Sequence, residues 1–173
     1  CINRFVIVMM HQYLETSALD SYNESIEMEV LVMSKVRWGL VSTANINLKV
    51  IPAIQQSKNG EITAVASRDI DRAQAYARQW NIPYAYGSYQ KMFNSGDVDV
   101  VYISLPNKMH AEWSIKAMQA GVHVLVEKPI ATSLKDIDEM ILTQKKTGKL
   151  LAEAFMYRHP PQTKIVREFI TSG

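Results

Sequence analysis

The sequence predicts an α/β fold built on a doubly wound parallel sheet. From Val36 onward, strand-like and helix-like stretches alternate about six times with short connections, the pattern of a parallel sheet with crossover helices. Two of the strand-like stretches, residues 98–104 and 122–126, are largely apolar and β-branched, as befits strands covered on both faces. Polar residues gather where those strands should end, and Glu127-Lys128-Pro129 is the clearest case. Ligands of open α/β sheets sit outside the carboxyl ends of the strands.

The elements follow in order. Val36–Val41 reads as the first strand, and Met33-Ser34-Lys35 before it looks like a natural start of the domain. Ser42-Thr43-Ala44-Asn45 leads into a helix with apolar residues at Ile46, Val50, Ala53 and Ile54. Pro52 lies inside that pattern, so the helix is expected to kink or to start late. Lys58-Asn59-Gly60 is a turn, and residues 62–66 form the second strand. Residues 69–80 form a strong helix, with Ala73, Ala75, Tyr76, Ala77 and Trp80 available to face inward. Residues 84–86 make a short strand, and Ser88 can cap a short helix ending at Phe93. After the loop Asn94-Ser95-Gly96-Asp97 comes the strand 98–104. Pro106-Asn107 turns the chain into a helix over 109–120, which Gly121 stops. The strand 122–126 ends at the proline of Glu127-Lys128-Pro129, which has no N–H to continue a ladder. Thr132 or Ser133 can cap the next helix, which runs to Thr147 and stops at Gly148. Residues 150–154 form a sixth strand, and Pro160-Pro161 opens a last helix over 162–170. Residues 1–32 lack this regularity and begin with Cys, so they are expected to be an appendage outside the fold.

Composition narrows the function. With 173 residues, a net charge of +2 and 47% hydrophobic residues, the chain fits one domain with part of a second. The even charge balance argues against nucleic acid or an acidic membrane surface as partner. Cys1 is the single cysteine, so no intrachain disulfide or cysteine metal cluster is expected, and a cytoplasmic setting is the default. His11, His110, His123 and His159 lack metal-ligand spacing, so no metal site is expected. The apolar run from Phe5 to Met10 is too short to span a bilayer.

The chemistry-bearing residues fall at strand ends. After the first strand, Ser42-Thr43-Ala44-Asn45-Ile46-Asn47 occupies the place of a dinucleotide-binding turn, yet contains no glycine. Small residues and two hydroxyls can still let a pyrophosphate approach a helix N-terminus. Gly39, inside the strand, allows close packing. After the second strand, Ser67-Arg68-Asp69 sets the cofactor: an acid there suits the ribose of NAD, an arginine the extra phosphate of NADP. Arg68 favours NADP, and Asp69, which can instead cap the following helix, keeps NAD open. After the fourth strand, Leu105, Pro106, Asn107 and His110 reach the same edge. After the fifth, Glu127 can hold Lys128 charged. Tyr157, Arg158 and His159 follow the sixth strand and can reach the same rim.

As a set, Gly39-Leu40-Val41-Ser42-Thr43-Ala44-Asn45-Ile46, Ala66-Ser67-Arg68, Ser104-Leu105-Pro106-Asn107-Lys108-Met109-His110, Glu127-Lys128-Pro129 and Ala152-Glu153-Ala154-Phe155-Met156-Tyr157-Arg158 resemble the Gfo/Idh/MocA oxidoreductases. The likeness is strongest to the NADP-linked xylose-type and trans-dihydrodiol dehydrogenases. The resemblance covers Val36 to the end. It implies a Rossmann-like domain over 33–156 that binds NADP (or NAD) through Ser42–Ile46, Ser67, Arg68, Leu105, Pro106, Asn107, His110, Glu127 and Lys128. It implies that Lys128 polarises the reacting oxygen of a sugar or diol and that Glu127 orients Lys128 or touches the cofactor. It also implies a second α/β domain, of which 157–173 would be the crossing segment and first helix. The remaining acid–base residues would lie in that second domain. This chain alone is then expected to bind cofactor weakly and turn nothing over, and to present an apolar, unprotected interdomain face that invites self-association. The full-length protein is expected to be a homo-oligomer. A non-catalytic dinucleotide-binding module and an inactive truncated product are the alternatives.

Overall fold

The apolar runs assemble into a six-stranded sheet with every pairing parallel, in the order β3-β2-β1-β4-β5-β6. The strands are β1 (Val36–Val41), β2 (Gly60–Ala66), β3 (Tyr84–Tyr86), β4 (Val100–Ile103), β5 (His123–Val126) and β6 (Leu151–Glu153). The helices are α1 (Asn47–Gln55), α2 (Ile70–Trp80), α3 (Tyr89–Phe93), α4 (His110–Gln119), α5 (Leu134–Thr147) and α6 (Pro161–Thr171), with a 3₁₀ turn at Asn107–Met109 before α4. The computed structural model describes residues 35–155 and 161–172. The expected appendage 1–32, the start at Met33-Ser34, and Tyr157, Arg158 and His159 lie outside them.

Side-chain alternation along each strand divides the core in two. On one face Val41, Val101, Ile103, Val124 and Val126 pack with Met92 and Phe93 of α3, Ala117 and Met118 of α4 and Met140 of α5. On the other, Leu40, Val65, Val100, Tyr102 and Leu125 pack with Ile51 and Ile54 of α1 and Ala77 of α2. Helices on both faces explain why the central strands read as unbroken apolar runs. Gly39 is required by this packing. A Cβ there would stand 2.9 Å from Val98 Cγ1 and 3.1 Å from Val101 Cγ1, closer than packed carbons tolerate.

Helix ends follow local chemistry. The Asp69 carboxylate caps α2, and Ser133 caps α5 by accepting from the Asp136 N–H at 3.1 Å. Gly148 ends α5 at φ 66°. Some details differ from expectation. Ser88 stands at the cap position of α3, but its hydroxyl makes no capping bond. Ala75 is exposed; Ala73 and Ala77 alone are the buried residues of α2. Helix α1 starts at Asn47 and passes through Pro52. The carbonyl deprived of an amide partner is that of exposed Leu48, where water can serve. On α6, Ile165, Val166, Phe169 and Ile170 are exposed.

Candidate functional site

Register brings the site together. Val41 pairs with both Ala66 and Ile103, Ile103 with Val126, and Val126 with Glu153. The strands therefore end flush, and Ser67, Ser42, Ser104, Glu127 and Ala154 form a row across the carboxyl edge. The chain direction around the sheet reverses between β1 and β4, so the edge above Ser42 and Ser104 is the switch point where such sheets open a crevice.

The turn after β1 is built without glycine. Ser42 has φ 112°, a region that favours glycine and strains other residues. A buried polar network holds it there. The fully buried Asn47 donates through Nδ2 to the Ser42 carbonyl at 2.9 Å and accepts at Oδ1 from the Ser104 hydroxyl at 2.7 Å. Ser104 has one hydroxyl proton, so in the Ser42–Ser104 contact at 2.8 Å it is Ser42 that donates. The Ser42 hydroxyl in turn accepts the Ala44 N–H at 3.2 Å. It is thus engaged in shaping the turn. Thr43, Ala44 and Ile46 are partly exposed and Asn45 fully so.

At the end of β2, the two acidic and basic candidates separate. Asp69 Oδ1 accepts the Asp71 N–H at 3.0 Å and the Arg72 N–H at 3.2 Å. The carboxylate is used as a helix cap. Ser67 is buried and accepts the Asp69 N–H at 3.2 Å. Arg68 is exposed. Burial pushes the Tyr89 phenol up, and the positive charges of Arg68 and, less strongly, Arg72 offset this in part.

After β4, Leu105 is buried and Pro106 and Asn107 are exposed. His110 is fully buried, with Nε2 2.8 Å from the Leu105 carbonyl oxygen and Nδ1 2.8 Å from that of Pro129. Both ring nitrogens face backbone carbonyls inside the protein. At the end of β5, Lys128 is exposed and the Lys128–Pro129 peptide is cis. Glu127 does not pair with the Lys128 amine; no ion pair joins them among the described residues. Its carboxylate takes the Tyr102 hydroxyl and the Lys128 backbone N–H, the latter at 3.2 Å. Burial and the Glu127 charge both push the Tyr102 phenol up, so it stays protonated as the donor.

Asn47, Tyr102 and Glu153 are functional candidates that strand-end reasoning passes over. Asn47 and Tyr102 carry a signal nonetheless: each is a polar group set among apolar neighbours, which demands a partner. Among the described residues no cluster of three or more His, Cys, Asp or Glu could hold a metal. Among them, too, no helix is long and apolar enough to cross a membrane.

The fold and the flush carboxyl edge define a doubly wound domain with its switch point between β1 and β4 and a lysine at the carboxyl edge. The chain belongs to the oxidoreductase family with an NAD-binding Rossmann fold, GFO_IDH_MocA, whose model matches residues 36–155. It is 43% identical over 136 residues to D-xylose 1-dehydrogenase (NADP(+)) 2 of Haloferax volcanii, covering 78% of this chain and 42% of that protein. It is 34% identical over 141 residues to trans-1,2-dihydrobenzene-1,2-diol dehydrogenase of Mus musculus, covering 80% of this chain and 42% of that one. Among solved structures it is similar to KijD10, a 3-ketoreductase from Actinomadura kijaniata in complex with TDP-benzene and NADP. There the TM-score is 0.75 and the identity 34%, over 81% of this chain and 44% of the other. The chain thus spans less than half the length of these relatives.

Proposed function

We propose that this chain is the cofactor-binding part of an NADP-dependent dehydrogenase that acts on a hydroxyl of a sugar or cyclic diol. The observation that carries the reading is the exposed Lys128 on the turn after β5, beside the β1/β4 switch point. The relatives named for xylose, a cyclic diol and a sugar ketone support the substrate class.

The residues present fit a dinucleotide with a 2′-phosphate. Thr43, Ala44, Asn45 and Ile46 line the turn at the start of α1, where backbone N–H groups favour pyrophosphate. Ser42 contributes by setting the shape of that turn. Arg68 and Ser67 take the 2′-phosphate, with Arg72 adding charge nearby. Asp69 caps α2 through Oδ1, which supports Arg68 rather than Asp69 as the residue that meets the ribose end. Leu105, Pro106 and Asn107 flank the nicotinamide end. When bound, the nicotinamide supplies the hydride chemistry. Lys128 donates a hydrogen bond from Nζ to the reacting oxygen and stabilises negative charge on it. Glu127 holds the Lys128 backbone.

Titration with NADPH and NADH tests the reading. NADPH should bind more tightly, and Arg68→Ala should weaken it by roughly 1.5–3 kcal/mol, tenfold or more, with NADH little changed. Lys128→Ala should retain binding, and it should abolish turnover in a version of the protein carrying a substrate domain. Equal loss of both cofactors in Arg68→Ala removes the 2′-phosphate assignment. A Lys128→Ala enzyme that still turns over removes the catalytic one.

A further inference from the structure

Three backbone groups in a row around Lys128 are each held by a side chain from a different place in the fold. The Lys128 N–H donates to the Glu127 carboxylate at 3.2 Å, at the end of β5. The Pro129 carbonyl lies 2.8 Å from His110 Nδ1, at the start of α4. The Ile130 N–H donates to Glu153 Oε1 at 2.8 Å, at the end of β6. The other ring nitrogen, Nε2, lies 2.8 Å from the Leu105 carbonyl oxygen, so the ring stands between the loop after β4 and the loop after β5. A carbonyl oxygen only accepts, so each of these two bonds requires an N–H on the ring; the neutral ring makes one and the imidazolium makes both.

Such anchoring is unusual for a turn at the surface. Water would satisfy the same backbone groups, whereas here a fully buried imidazole and two half-buried carboxylates reach them. The Lys128 side chain is exposed and has no ion pair among the described residues. The backbone therefore fixes the point and the Cα–Cβ direction from which the side chain starts. We propose that His110 and Glu153 are positioning residues, which clamp the turn so that the Lys128 amine is presented at the carboxyl edge from one fixed origin. Reactive groups held within a fraction of an ångström of their working place gain most from such support. This inference rests on the role proposed above for Lys128.

The test uses the whole chain and reads the turn directly. Amide hydrogen exchange reports the Ile130 N–H, and competitive acylation reports the Lys128 amine against exposed Lys135 and Lys145 in the same molecule. Glu153→Ala should lower protection at Ile130 by about tenfold or more and change the acylation of Lys128 but not of Lys135. Glu153→Gln, whose amide oxygen can still accept the Ile130 N–H, should restore both. His110→Gln should loosen the same turn; because His110 lies in the core, the Glu153 pair is decisive if that variant does not fold. Glu153→Ala with unchanged protection and unchanged Lys128 labelling overturns the clamp. Wild-type protein that protects Ile130 but binds neither NADPH nor NADH overturns the cofactor reading instead, and the exchange data tell the two failures apart.

Discussion

Asp69 offers the sharpest separation between an acid that binds ribose and an acid that caps a helix. Both capping bonds, from the Asp71 and Arg72 N–H groups at 3.0 and 3.2 Å, fall on the same oxygen, Oδ1. Asp69→Asn can therefore place its amide oxygen there and keep both bonds, losing only the charge that favours a helix N-terminus, about 0.3–1 kcal/mol. Asp69→Ala loses both bonds and should cost about 0.5–2 kcal/mol. Urea unfolding followed by tryptophan fluorescence measures the difference as a shift in midpoint at constant slope. The same variants carry a functional expectation. Removing a negative charge beside Arg68 and Arg72 should leave NADPH binding intact or strengthen it, and NADH binding should stay weak in both. The reasoning is refuted if Asp69→Ala unfolds at the wild-type midpoint, or if Asp69→Asn loses NADH affinity tenfold while its stability holds. Either result would make the carboxylate a ligand rather than a cap.

Two further outcomes can be checked on the same protein. Gly39→Ala forces a methyl group to within 2.9 Å of Val98 Cγ1 and 3.2 Å of Met92 Sδ, and should destabilise by about 1–3 kcal/mol; a thermal midpoint equal to wild type would contradict the packing argument. His123, at the start of β5, accepts the Leu150 N–H at Nδ1 at 2.9 Å, and burial, with Lys149 adding to it, lowers its pKa below the ordinary 6.5. The unfolded chain then takes up a proton that the folded one refuses, so the stability from this residue is full above pH 6.5 and falls as pH drops through 6.5 toward the folded value. A His123 ring titration seen by NMR with its midpoint at or above 6.5 would contradict this.

The strand ends were readable because each apolar run stops at a polar residue: Ser42, Ser67, Ser104 and Glu127. Their alignment into one row was not, because it depends on pairings between strands far apart in sequence, such as Val41 with Ile103. The turn after β1 shows the limit most clearly. Backbone preference alone asks for glycine where Ser42 sits at φ 112°. What holds serine there is Ser104, together with Asn47, on other elements, and no local pattern announces that. Asp69 could be read either way from its neighbours; its bonds to the Asp71 and Arg72 N–H groups, which show it capping α2, come from the folded chain. The contacts that His110 and Glu153 make with the Lys128 turn were hidden for a related reason. His110 and Glu153 bind backbone atoms, and a backbone atom looks the same at every position in a sequence.

The two margins of the sheet, β3 and β6, are each three residues long, about 10 Å at the usual rise per residue. A ledge that short presents only one or two unpaired amides, too few to template the addition of another strand. Growth of the sheet into an open-ended stack is blocked at both sides by length alone. Any association between copies of this chain at these two margins would rest on side chains. Such contacts dilute apart, whereas strand-templated ones accumulate.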